Sequence, residues 1–158
     1  MAALIGHSPS AVVGAPGSIH TALQNTILTR AFDINGNEYI YLKGVASTIA
    51  GSWVTFDELG ATALMDTDTA ASVLGQVAIA SGAIVADRWG WYLIAGSASA
   101  GALTVVDNTK VFASATAGSC DDTGTAGLQV MNAQWRSADA SSLATVQIFY
   151  PFVGVNVA

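Results

Sequence analysis

From residue 38 to the C-terminus, short apolar runs alternate with turn residues at the close spacing of an all-β chain. The first run, Tyr39-Ile-Tyr-Leu-Lys43, is aromatic and β-branched, which suits a pleated, half-buried surface. Further strands are predicted over residues 53–56, 76–80, 91–95, 103–106, 111–115, 128–135 and 143–150. Around Arg88-Trp-Gly-Trp-Tyr92, alternation puts Trp89, Trp91 and Leu93 on one face and Tyr92 and Ile94 on the other. Asn35-Gly36 is a hairpin-type turn signal, and Asp107-Asn108 separates two strands as a tight turn. Within this stretch only the Ala-rich segment 69–74 suits a short helix, and no repeat of fixed period is visible. The pattern predicts a mainly β fold, an antiparallel β-sandwich or partly open β-barrel.

Residues 1–35 have a different texture. They hold both histidines, His7 and His20, and two of the three prolines, Pro9 and Pro16, with no sustained strand or helix period. The segments HSPS (7–10) and GAPGS (14–18) are loop chemistry, because proline fixes φ and glycine admits special backbone angles. Residues 20–28 allow a short helix but lack an apolar stripe to bury. The expected division is an extended N-terminal arm, 1–35, ahead of a β-rich domain, 36–158. The arm carries apolar anchors at Leu4, Ile5, Val12, Val13, Ile19, Leu23, Ile27 and Leu28, with no period that would fold them onto one another. Such a segment gains order when a partner surface accepts those side chains. These anchors, with Trp89 and Trp91, are the candidate interface residues.

Composition sharpens the picture. Charged residues make up only 10% of the 158, against roughly 25% in an ordinary soluble domain. The exterior is therefore either built from Ala, Gly, Ser and Thr or covered by other chains, and the second is expected. That expectation is a homo-oligomer. The net charge of −6 and five scattered cations (Arg30, Lys43, Arg88, Lys110, Arg136) argue against nucleic acid and against polybasic membrane attachment. Mean hydropathy is positive at +0.50. Yet the best apolar run, 72–86, is broken by Gly75, Gln76, Ser81 and Gly82, well short of the roughly 18 residues a transmembrane helix needs. The N-terminus lacks the basic and apolar regions of a signal peptide, so a soluble, non-secreted product is expected.

Chemistry is sparse. Both histidines lie in the arm, away from the β-rich body, which disfavours a Ser-His-Asp constellation there. The single cysteine, Cys120, rules out an internal disulfide framework. It sits in Gly118-Ser-Cys-Asp-Asp122, where neighbouring carboxylates oppose thiolate formation, and reads as a small filler. Asp66-Thr-Asp68 and Asp121-Asp122 lack the acidic ladder and distal Glu of a calcium loop and read as turn carboxylates. Gly96-Ser-Ala-Ser-Ala-Gly101 lacks the Lys and helix of a phosphate loop. The Trp89–Tyr92 cluster suits core packing or a subunit contact, with a carbohydrate platform as the alternative. No enzyme activity, cofactor or metal is expected.

Four segments, in order, resemble those of small tailed-bacteriophage capsid cement (head decoration) proteins. Gly51-Ser-Trp-Val-Thr-Phe-Asp57 is similar to their GxWV(T/S)(Y/F)D opening, which follows a strand of the kind Glu38-Tyr-Ile-Tyr-Leu42 supplies. Gly90-Trp-Tyr-Leu-Ile-Ala-Gly96 resembles their GWYQIxG strand, and VFASATAGSCDD (111–122) resembles a segment of the form xATxTxGxVDD. Cys120 stands where that segment has a Val-like residue. Gln147-Ile-Phe-Tyr-Pro-Phe152 resembles their closing strand. Together the segments span the chain from about residue 36 to the end. The resemblance implies a virion protein on the capsid exterior, made in the host cytoplasm, whose partners are the major capsid protein and itself, as a homotrimer before a dimer. It would bind the lattice and stabilise it against the pressure of the packaged DNA. The alternatives are another virion part (tail tube, fibre or receptor-binding module) or a carbohydrate-binding β-module. The resemblance implies no catalytic residues.

Overall fold

The computed structural model describes residues 5–6, 12–73, 75–124 and 128–154. Among them the short apolar runs become twelve strands and one helix. In chain order these are β1 (Ile5–Gly6), β2 (Ile19–His20), β3 (Arg30–Phe32), β4 (Glu38–Lys43), β5 (Trp53–Phe56), β6 (Thr62–Leu64), α1 (Thr67–Val73), β7 (Gln76–Ala80), β8 (Trp89–Gly101), β9 (Lys110–Ala113), β10 (Cys120–Asp121), β11 (Gln129–Trp135) and β12 (Leu143–Gly154). The strand ladders are antiparallel, in the order β1-β3-β4-β8-β7-β12-β11-β9-β10, with β2 joined to β8 and β5 lying between β7 and β6. The fold is mainly β, and its sheet does not close into a barrel.

The long strand β8 joins the two halves of the sheet. Its first part pairs with β4 through Tyr41↔Trp91 and Tyr39↔Leu93, and with β7 through Ile79↔Leu93. From Ala95 to Gly101 it pairs with β12, ending at Leu143↔Gly101. The change of partner falls at Gly96, whose φ of +125° is closed to most side chains. Before that point β8 is buried on both faces; after it, Ser97 and Ser99 are exposed while Ala100 is buried.

Two apolar clusters follow from this geometry. Trp91 and Leu93 enter the larger one with Trp53, Ile79, Val111, Trp135 and Val146, between the two halves of the sheet. Tyr92 and Ile94 face the other way, onto Ile40, Leu42, Val54, Phe56 and Ile84. The sheet curls around this second cluster until the Lys43 N–H donates to the Gly60 carbonyl and the Thr62 hydroxyl to the Lys43 carbonyl. Trp53 and Trp135 meet edge to face at 5.9 Å, and each indole N–H has a carbonyl partner, Gly101 and Asp121 respectively.

One expected strand needs correcting. Residues 103–106 are not a strand. Their N–H groups are taken by other partners: Val105 by the Asp139 carboxylate, Val106 by the Asp122 carboxylate and Leu103 by the Cys120 carbonyl, so no ladder forms. Residues 20–28, which have no apolar stripe to bury as a helix, start in β2 and run on as bends and a turn. The boundary expected at 36 falls in the turn of the β3–β4 hairpin, where Arg30↔Ile40 and Phe32↔Glu38 pair. The described residues 12–35 lie against the body.

Candidate functional site

Strand β12 gathers the most distinctive surface. Ala144, Val146 and Ile148 point into the core, while Leu143, Thr145, Gln147 and Phe149 face outward. At Tyr150 the backbone turns left-handed, with φ +50°, and the alternation changes step: Pro151 and Val153 are buried and Phe152 is exposed. The partner strand shows why. Between Met131↔Phe152 and Ala133↔Ile148, β11 supplies Asn132 alone while β12 supplies Phe149, Tyr150 and Pro151. Proline has no N–H to give the ladder, so the chain bulges there. The result is a rim of rings: Phe149 is 66% exposed, Tyr150 39% and Phe152 42%. Phe149 and Tyr150 meet edge to face at 4.8 Å.

The Tyr150 ring is anchored from below. Its hydroxyl donates to Glu38 Oε2, and Arg30 Nη1 stands 3.6 Å from Glu38 Oε1. The Arg30 guanidinium lies 5.5 Å from the centroid of the Tyr150 ring. Glu38 is only 4% exposed, so the hydroxyl and the guanidinium are what make its burial tolerable. Its hydrogen bond to Tyr150, helped by burial and by its charge, raises the phenol pKa, with Arg30 opposing. Beside the cluster runs a groove of about 390 Å³, walled by Phe56, Ile94, Tyr150 and Phe152 with Arg30 and Gln76 at its polar edge. What this arrangement can do is make contacts, through exposed aromatic faces around a fixed ion pair.

The ten residues expected at an interface are scattered. Leu4 lies outside the described residues, and Ile5 is described only as part of β1, paired with Phe32. Val13, Ile19 and Leu23 are exposed along the segment that crosses Tyr41 and Trp91. Val12 and Ile27 are half-buried against the larger cluster, and Leu28 against the smaller one. Trp89 is half-buried. Trp91 is fully buried inside the chain, its indole N–H donating to the Val13 carbonyl, and is therefore no surface residue. Phe149, Tyr150 and Phe152 were missed. One signal was available: Phe149 continues the outward row of Thr145 and Gln147, an aromatic side chain in a polar row.

The remaining polar candidates do structural work. Asp66 accepts the Thr69 N–H at the start of α1, and that bond holds its carboxyl below the ordinary value against the opposing effect of burial. Asp121 and Asp122 hold backbone N–H groups. Burial, then the Asp121 charge, pushes the Cys120 thiol well up. Among the described residues no cluster of three His, Cys, Asp or Glu could hold a metal ion, and no helix is long and apolar enough to cross a membrane. No protein-family model matches the sequence, and neither a curated protein nor a solved structure is significantly similar to it.

Proposed function

We propose that this chain is a structural virion subunit, a capsid cement protein that binds the outer surface of the major capsid protein lattice and stabilises it. The observation that carries the reading is the exposed rim Phe149–Tyr150–Phe152, whose Tyr150 is anchored to buried Glu38 and half-exposed Arg30, on a chain with few charges. Isolated surface hydrophobics are ordinary, but contiguous rings held in place beside a groove mark contact surfaces. The rim falls in the closing segment, Gln147 to Phe152, that resembles the cement proteins. A low surface charge suits a subunit that is covered on both sides, by capsid and by its own copies, with a trimer favoured.

The test is to add the purified chain to particles lacking it and to measure saturable binding by co-sedimentation and capsid survival on heating. Binding at many copies per particle, with a raised capsid melting temperature, is expected. Absence of binding to capsids overturns the reading, and binding confined to tails moves the chain to the tail.

A further inference from the structure

Residues 12–27 cross the body as a strap, and one side-chain hydrogen bond sits at its centre. His20 Nδ1 and the Tyr41 hydroxyl are 2.6 Å apart, with the rings 5.5 Å between centroids. Tyr41 is fully buried beneath the strap and stacks at 5.0 Å on Trp91, also fully buried. The other fastenings are uncharged. Val13 and Asn25 exchange two backbone–amide hydrogen bonds, the Val13 carbonyl accepts from the Trp91 indole, and Ile19 and His20 pair with Gly90 and Trp89. Gly14 leaves the space that the imidazole fills: a Cβ there would lie 2.8 Å from His20 Nε2.

Hydrogen-bond arithmetic sets the protonation state. The buried Tyr41 oxygen accepts the Gln24 N–H at 3.4 Å, and among the described residues His20 Nδ1 is the acceptor that its own proton meets. With Nδ1 as the unprotonated nitrogen of a neutral ring, the hydroxyl donates to it and the buried O–H is satisfied. A second proton on the imidazole turns Nδ1 into a donor and leaves the buried Tyr41 O–H without its acceptor. We infer that residues 12–27 form an acid-labile strap latched by the His20–Tyr41 hydrogen bond, and that opening the latch uncovers the aromatic face of Tyr41 and Trp91.

The surroundings offer the imidazolium no compensation. Tyr41 on β4 is the titratable side chain it touches, and Trp89 on β8 is its strand neighbour. Lys43 at the end of β4 pairs with Asp87 at 3.8 Å, and Arg88 bonds the Asp87 carbonyl. None of these charges is a partner of His20 among the described residues. Burial lowers the His20 pKa from its ordinary 6.5. In an open strap the ring returns to that ordinary value, so the open form takes up the proton more readily. Closure is at full strength above about pH 6.5 and weakens as the pH falls below it. The inference concerns how the aromatic face is covered and holds whatever the protein binds.

Hydrogen exchange of the full chain between pH 7.5 and pH 5, corrected for intrinsic rates, tests it. Exchange across 12–27 is expected to rise at pH 5, up to the roughly thirtyfold limit that a free imidazole of pKa 6.5 sets, while β12 stays protected. His20→Asn keeps an acceptor near Nδ1 and cannot titrate, so its strap should respond little to pH. Tyr41→Phe should loosen the strap at both pH values, which keeps the test open if the first variant does not fold. A His7→Asn variant should respond like the parent chain. A strap equally protected at both pH values overturns the inference. So does an undiminished response in His20→Asn, or one abolished by His7→Asn.

Discussion

Replacing Gly96 with alanine should destabilise the protein markedly. Gly96 sits where β8 changes partner, at φ +125°, and an added Cβ would stand 2.1 Å from Asn37 Oδ1 and 2.8 Å from Asn37 Cγ. The backbone strain costs about 1–3 kcal/mol. Asn37 can swing aside, but it then gives up its bonds to the Asp33 carboxylate and the Ser97 N–H, about 1 kcal/mol each. The total is about 4 kcal/mol, which in a chain of this size lowers the melting temperature by about 8–16 °C. Urea denaturation and calorimetry read it directly. An Asn37→Ala background separates the two contributions: there the amide contacts are gone and only the Cβ at 3.0 Å remains, so Gly96→Ala should cost little more than the strain. Gly36→Ala, at φ +82° with open space around it, serves as the strain-only reference. A Gly96→Ala protein within about 1 kcal/mol of the parent, far below the sum of strain and lost bonds, would refute the reasoning. So would a cost unchanged by removing Asn37.

Other expectations follow from the site. Tyr150→Phe leaves buried Glu38 without its hydroxyl donor and should cost about 1.5–3 kcal/mol by chemical denaturation; a smaller loss than Phe149→Ser would contradict the anchoring described. Phe149→Ser should leave stability within about 0.5 kcal/mol, because the ring is mostly exposed, yet weaken capsid attachment in co-sedimentation. Cys120 should resist a thiol reagent such as DTNB at pH 8 until the protein unfolds, since it is fully buried and its thiol pKa is raised; fast labelling of native protein would count against the core described.

The sequence was legible where side chains alone decide a strand. Residues 53–56 and 76–80 are apolar runs bounded by turn residues, and both are strands with those bounds. It was less legible where pairing decides. Ser97 to Gly101 has no residue of high β-propensity, yet it extends β8 because β12 lies beside it. The two-residue β1 and β2 exist only as additions to β3 and β8. Residues 103–106 have the right composition for a strand but meet side-chain carboxylates in place of a neighbouring backbone. The aromatic rim was hidden for a similar reason. Strict alternation would bury Phe152, and it is the bulge at Tyr150, set by the pairing with β11, that turns it outward.

The most direct measurement of the central proposal is an electron-microscopy reconstruction of the particle that carries this chain. The proposal predicts hundreds of copies on the outer face of the capsid lattice, with Phe149, Tyr150 and Phe152 in contact with the major capsid protein or with neighbouring copies. A reconstruction showing the chain only in the tail or fibres, or absent from the particle altogether, would contradict it.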